Sequence, residues 1–265
     1  MNQEEGQGEW LGNLNDLEAM GRLRRLRTME PLAGHRVRMG DRRYLNLASN
    51  DYLGFGCDTE LHRDFHEFLA GSDSLAETGL TASASRLSSG NHPAYAAMEG
   101  MLESAYGPGR RALVLSSGYH ANIGILPALA ERGDLILSDR SNHASLLDGM
   151  RLSRAKWVRY RHRDMEHLKE ILTARRPGAR RVFIVTESIF SMDGDRADLR
   201  ALVEIGRAHG AILYVDEAHA VGVCGPTGLG LCEEAGVLAD VDILVGTFGK
   251  ALHFLSHHRE TAACI

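Results

Sequence analysis

Residues 182–219 read VFIVTESIFSMDGDRADLRALVEIGRAHGAILYVDEAH. Val182–Val185 has the apolar run of a strand, Ala197–His209 the spacing of a helix, and Ile212–Val215 a second strand. Short Val/Ile/Leu runs around a helix make a βα unit whose strands are parallel and buried on both faces. The same alternation extends in both directions. Upstream, a helix from Ala94 through Tyr106 precedes strand Ala112–Leu115, and a helix starts near Gly118. Strand Leu135–Leu137 leads to a helix from about Ala144, and strand Trp157–Tyr160 to a helix over Met165–Ala174. Strand Ile243–Val245 closes the series downstream. The prediction is an α/β domain with a mainly parallel sheet, and ligands bind such sheets beyond the carboxyl ends of the strands.

Before this region, Leu14, Leu17, Met20, Leu23 and Leu26 recur every three residues, which predicts an amphipathic helix ended by Pro31 and Gly34. Arg22, Arg24, Arg25 and Arg27 would form its solvated face. A strand over Tyr44–Ala48 and the polar turn Ser49-Asn50-Asp51 follow.

The 265 residues carry a net charge of −5, so no global basic field draws nucleic acid or an anionic membrane. No apolar run approaches the roughly 18 residues of a membrane helix. Cys57, Cys224, Cys232 and Cys264 lack C-x-x-C spacing, and free thiols suit a reducing cytoplasm. The polar, acidic start MNQEEGQGEW lacks the basic and apolar regions of a signal peptide.

Five polar segments follow the strands. Ser116-Ser117-Gly118-Tyr119-His120 opens a helix, where glycine lets a ligand approach and free N–H groups favour phosphate; in isolation it is also an ordinary serine-capped βα turn. His143, in Asn142-His143-Ala144-Ser145, offers a flat ring that could stack on an aromatic cofactor or exchange a proton. Glu187 and Ser191 are hydrogen-bonding candidates after Val182–Val185. Asp216-Glu217-Ala218-His219 spells a helicase ATPase motif, but no G-x-x-x-x-G-K-[ST] phosphate loop accompanies it. Its other reading sets Asp216 against a protonated ring nitrogen with His219 beside the ring; two residues are too few for a metal site. In Gly246-Thr247-Phe248-Gly249-Lys250, the lysine amine can condense with an aldehyde and Thr247 can bond a phosphate. Taken together, these are the groups that pyridoxal phosphate requires.

At these residues the chain resembles the α-oxoamine synthases, fold-type-I pyridoxal-phosphate enzymes that join an amino acid to an acyl thioester. The resemblance runs from about Leu14 to Leu252. It includes Ser49-Asn50-Asp51-Tyr52-Leu53-Gly54, Ser117-Gly118-Tyr119, Asn142 through Ser145, Phe190 through Gly194, Asp216 through His219, and Thr247 through Ala251. It implies a three-layer α/β large domain over 46–252, an N-terminal helical arm over 1–45 and a homodimer. Lys250 would hold the cofactor as a Schiff base and shuttle the α-proton. Asp216 would pair with the pyridinium nitrogen, and His143 would stack on the ring. Ser191 and His219 would bond the phenolic oxygen, while Gly118, Tyr119 and Thr247 would serve the cofactor and its phosphate. Asn50 would lie near the substrate carboxylate and Arg27 near the acyl substrate. Gly118 in Ser-Gly-Tyr and Phe248 in Thr-Phe-Gly-Lys point to the biotin-pathway branch, which uses alanine and a pimeloyl thioester on CoA or acyl carrier protein. Glycine acetyltransferases and 5-aminolevulinate synthases more often carry Cys and Leu there.

The family continues past the lysine with a Gly/Ser-rich segment and a C-terminal domain. Here 253–265 reads HFLSHHRETAACI, a tail without family character that resembles translation in a shifted frame. His253, His257 and His258 could bind metal only in isolation. The rival expectation of another class is an inactive product of a disrupted gene.

Overall fold

The computed structural model describes residues 3–71, 84–252 and 262–264. It divides into two compact units, Met1–Ala48 and Ser49–Ile265.

The first unit holds helix α1 (Gln3–Ala19) and a small antiparallel sheet of β1 (Glu30–Leu32), β2 (Arg36–Met39) and β3 (Arg42–Leu45). The helix ends at Ala19, well short of the predicted stop at Pro31 and Gly34. Gly21 adopts the left-handed conformation, with φ +66°, and the Arg22 N–H donates back to the Leu17 carbonyl at 2.8 Å. That is the glycine-terminated C-cap, which closes a helix whatever apolar spacing follows. The arginines from Arg22 to Arg27 therefore lie beyond the helix, exposed, rather than along its face. The Pro31–Gly34 region, read as a stop, instead supplies a hairpin. The expected strand Tyr44–Ala48 lies two residues earlier, as β3.

The second unit opens with α2 (Thr59–Ala70), which the sequence reading did not anticipate. Asp58 caps it, accepting the Glu60 and Leu61 N–H groups at 3.0 Å. Then follow α3 (Pro93–Tyr106), β4 (Leu113–Leu115), α4 (Gly118–Leu129), β5 (Leu135–Asp139), α5 (Ala144–Leu152) and β6 (Lys156–Tyr160). The series continues with α6 (Met165–Arg175), β7 (Val182–Glu187), α7 (Leu199–His209), β8 (Ala211–Asp216), the short α8 (Leu231–Glu234) and β9 (Ile243–Thr247). β10 (Ala262–Cys264) pairs antiparallel between β4 and β9, so the sheet order is β4-β10-β9-β8-β7-β5-β6. The five strands from β9 to β6 are parallel. Residues 253–261, with the tail histidines, lie outside the described residues.

Alternate strand residues serve opposite faces, as the period of two requires. Leu135, Leu137, Val182, Ile184, Leu213 and Val215 pack with Leu168 and Leu172 of α6 and with Leu199 and Leu202 of α7. Ile136, Phe183, Val185 and Tyr214 pack with Leu126 of α4 and with Leu146 and Met150 of α5. Three layers result, and each fully buried Leu, Ile or Phe side chain contributes about 1.5–3 kcal/mol. Strand order reverses between β5 and β7, which opens a crevice at their carboxyl ends.

α4 and α5 approach each other through Gly149. A Cβ there would lie 2.4 Å from the Asn122 carbonyl oxygen. Gly149→Ala is therefore expected to force the helices apart and to destabilise the fold by about 1–3 kcal/mol, the usual cost of overpacking. A denaturation midpoint equal to that of the parent chain would refute this.

Candidate active site

The polar residues at the carboxyl ends of the strands form two connected networks. In the first, Lys250, three residues beyond β9, sets its Nζ 2.8 Å from His219 Nε2. His219 Nδ1 lies 2.7 Å from the Tyr52 hydroxyl, and that hydroxyl is 3.3 Å from Asn50 Oδ1. Burial, the Lys250 charge and His143 together lower the His219 pKa to about 4, so its ring is neutral at pH 7. A neutral imidazole accepting an ammonium proton at Nε2 carries its own proton on Nδ1. That proton points to Tyr52, whose hydroxyl can then donate to Asn50.

In the second network Asp216 ends β8, is buried at 6% exposure, and accepts from Asn122 Nδ2 at 2.8 Å and from the Ala218 N–H at 2.9 Å. Asn122, on α4, also donates to Ser145 Oγ at 2.9 Å and accepts the Tyr214 hydroxyl at 2.6 Å. A buried carboxylate held from two sides in this way keeps its orientation without water.

His143 caps α5 through its own ring, whose Nδ1 lies 2.8 Å from Ser145 Oγ and accepts the Ser145 N–H at 3.2 Å. The His143 backbone N–H donates to Glu187, which ends β7 and stands opposite Asp216 in the strand register. Burial first, and then the neighbouring Asp216 charge, push the Glu187 carboxyl up to about 8. An acid whose folded pKa is raised binds its proton more tightly when folded, so stability falls as pH rises from its unfolded value to about 8. Glu187→Gln is expected to flatten this dependence, raising the melting temperature relative to the parent at pH 8 but not at pH 4. Parallel melting curves across that range would contradict it.

Ser117 caps α4 by accepting the His120 N–H, which leaves the N–H groups of Gly118 and Tyr119 at the helix start. The Tyr119 hydroxyl donates to Asp148 at 2.5 Å. Thr247, the last residue of β9, is 5% exposed, and its Oγ1 accepts the Gly249 N–H at 3.2 Å. Ser191 lies exposed in the loop after β7. Arg27 belongs to the first unit, where it is exposed.

The structure thus joins Asn50, His219 and Lys250 in one network and centres the other on Asp216, with His143 bonded to Ser145 beside it. Asn122, Ser145, Tyr214 and Tyr52 are network members that sequence reading did not single out. Asn122 carried a signal, a lone amide within the otherwise apolar Ala121–Leu126 run. The donor set suits a flat, phosphorylated pyridine aldehyde: a fixed carboxylate, an imidazole at a helix start, an amine, and helix N–H groups near a hydroxyl. Among the described residues, no three His, Cys, Asp or Glu side chains group to hold a metal, and no helix is long and apolar enough to cross a membrane.

The family of class I and II aminotransferases matches residues 42–254. The 8-amino-7-oxononanoate synthase of Chlorobaculum parvum is 51% identical over 236 residues, which cover 89% of this chain and 60% of that protein. Among solved structures, Sphingomonas wittichii serine palmitoyltransferase superposes with a TM-score of 0.83 at 32% identity, over all of this chain and 64% of that one. The 8-amino-7-oxononanoate synthase of Francisella tularensis gives a TM-score of 0.62 at 27% identity, over 82% of this chain and 57% of that one. The chain spans about 60% of the length of the curated relatives it matches.

Proposed function

We propose, because the chain belongs to the aminotransferase class I and II family, that it is the cofactor-binding part of a pyridoxal-phosphate-dependent acyltransferase. The reaction joins L-alanine to a pimeloyl thioester, on CoA or acyl carrier protein, with loss of carbon dioxide, for biotin synthesis in the cytoplasm. Residues 46–252 form the cofactor-binding domain on this reading, 1–45 an arm before it, and two copies form a dimer. The observation that carries the reading is the placement of Lys250 against His219, 2.8 Å apart, three residues after β9, the strand that pairs with β8 and its buried end Asp216.

Pyridoxal phosphate supplies an aldehyde that condenses with amines and a pyridinium ring that accepts electrons from the α-carbon. Lys250 would hold it through Nζ and would serve as the base for the α-proton of the amino acid. Asp216 keeps a proton on the ring nitrogen, while Asn122 and the Ala218 N–H fix the carboxylate. His143 would stack on the ring. Ser191 and His219 would bond its phenolic oxygen, and Gly118, Tyr119 and Thr247 would receive the phosphate. Asn50 would orient the amino-acid carboxylate, and Arg27 would contact the acyl substrate.

The test is to titrate the chain with pyridoxal phosphate and then measure CoA release with L-alanine and pimeloyl-CoA. Glycine and acetyl-CoA serve as the comparison pair. Preference for the first pair is expected. Greater release with glycine and acetyl-CoA would redirect the reading to a glycine C-acetyltransferase, and absence of cofactor binding would sink it.

A further inference from the structure

Behind the two networks lies a third cluster that they do not use. Asp139, buried at 1% exposure, ends β5 and leads into the corner that carries Asn142 and His143. Its Oδ1 accepts the Ser141 N–H and lies 2.8 Å from His162 Nδ1, and its Oδ2 accepts the Arg163 N–H at 2.9 Å. The other ring nitrogen, His162 Nε2, lies 2.8 Å from Asp195 Oδ2. Asp195 closes the loop after β7: its carbonyl accepts the Phe190 N–H at 3.0 Å, and the Gly194 N–H donates to the Phe190 carbonyl. Ser191 sits within that loop. Phe190, 2% exposed, meets the His162 ring edge-on at 4.5 Å.

We propose that His162 is a positioning residue, an imidazolium clasped between Asp139 and Asp195 that ties the corner carrying His143 to the loop carrying Ser191. A carboxylate only accepts, so two carboxylates on the two ring nitrogens require both nitrogens to donate, which only the charged imidazole can do. Both bonds are charge-assisted and short. The next residue supports the arrangement. Arg163 adopts φ +53°, rare for a side-chain-bearing residue, and in that conformation its N–H meets Asp139 while its guanidinium reaches Asp195 at 3.1 Å. The charged groups facing His162 are therefore Asp139 from β5, Asp195 from the β7 loop and Arg163 from its own corner. Burial alone would lower the imidazole pKa, but the bonds to Asp139 and Asp195 outweigh it and hold the value above the usual range. The clasp is thus closed below that raised value and opens as pH rises through it. The inference rests on the proposed function only for what His143 and Ser191 then do.

The test reads the clasp without catalysis. In the parent chain, nitrogen-15 spectra of the His162 ring should show both nitrogens protonated at pH 7, where a free imidazole of pKa about 6.5 is mostly neutral. A singly protonated ring at that pH would overturn the proposal. Hydrogen exchange then compares the parent with His162→Gln and His162→Ala. The Ser141 and Phe190 amides, one on each side, should both exchange about tenfold faster or more, while those of Leu213 and Val215 in β8 hold their rates. Acceleration on one side alone, or on neither, would also overturn it. If neither variant folds, the ring spectrum of the parent decides. A parent chain that shows the clasp yet binds no pyridoxal phosphate supports this inference and counts against the proposed function alone.

Discussion

Replacing Lys250 with alanine is expected to abolish borohydride-stable attachment of pyridoxal phosphate and to reduce turnover by at least about 10²–10⁴-fold, the usual share of a single proton-transfer group. The loss has two sources. The amine that would hold the aldehyde disappears, and so does the base that would move the α-proton. A second readout follows from the geometry and needs no substrate. The Lys250 charge, 2.8 Å away, is one reason the His219 pKa falls to about 4, after burial. Removing that charge should move the His219 titration upward, visible in the ring resonances. Peptide mapping of the reduced parent should place the label on Lys250. Label on Lys156 or Lys169, with Lys250 unmodified, would defeat the assignment.

The lysine was legible because of where strands end. β5, β7, β8 and β9 all show as short apolar runs, and their boundaries were read too short for one reason. Asp139, Glu187, Asp216 and Thr247 continue the strands as buried polar residues, so the hydrophobic pattern stops before the backbone pairing does. Those same residues lie at the carboxyl ends, beside the candidate site. The N-terminal helix failed in the opposite sense. Apolar spacing continued past Gly21, but a left-handed glycine with its reverse hydrogen bond outweighs periodicity. The strand Ala262–Cys264 carries no strand signal at all, and only its position between β4 and β9 defines it. In the site, local motifs reveal each actor but not the partners. Tyr52 stands 167 residues from His219, and Asn122 stands 94 from Asp216. Contacts over such separations are products of sheet order, which no local spacing encodes.

Asp216→Asn offers the cleaner separation of electronic from structural roles. The substitution keeps size and shape but removes the charge that would hold a proton on the ring nitrogen. Loss of one preorganised electrostatic partner costs about 10²–10³-fold in turnover, so exchange of the α-proton of L-alanine should fall by that order. Stability should fall as well, for a reason visible in the network. Asp216 accepts from both Asn122 Nδ2 and the Ala218 N–H, and an amide at that position presents a donor to one of them. If its oxygen keeps Ala218, its NH₂ faces the NH₂ of Asn122. Asn122 cannot turn without giving up the Tyr214 hydroxyl, which donates to its Oδ1 at 2.6 Å. One buried group is left unpaired, at about 1–3 kcal/mol. Adding Asn122→Asp to Asp216→Asn restores a complementary set. The new carboxylate accepts from the amide at 216 and from Tyr214, and the Ser145 hydroxyl must turn from His143 Nδ1 to donate to it. The double variant should therefore regain most of the lost melting temperature while proton exchange stays low, because the charge now sits on α4 rather than at the end of β8. Recovery of both stability and exchange would show that Asp216 serves the packing of the site and not the electronics of the ring.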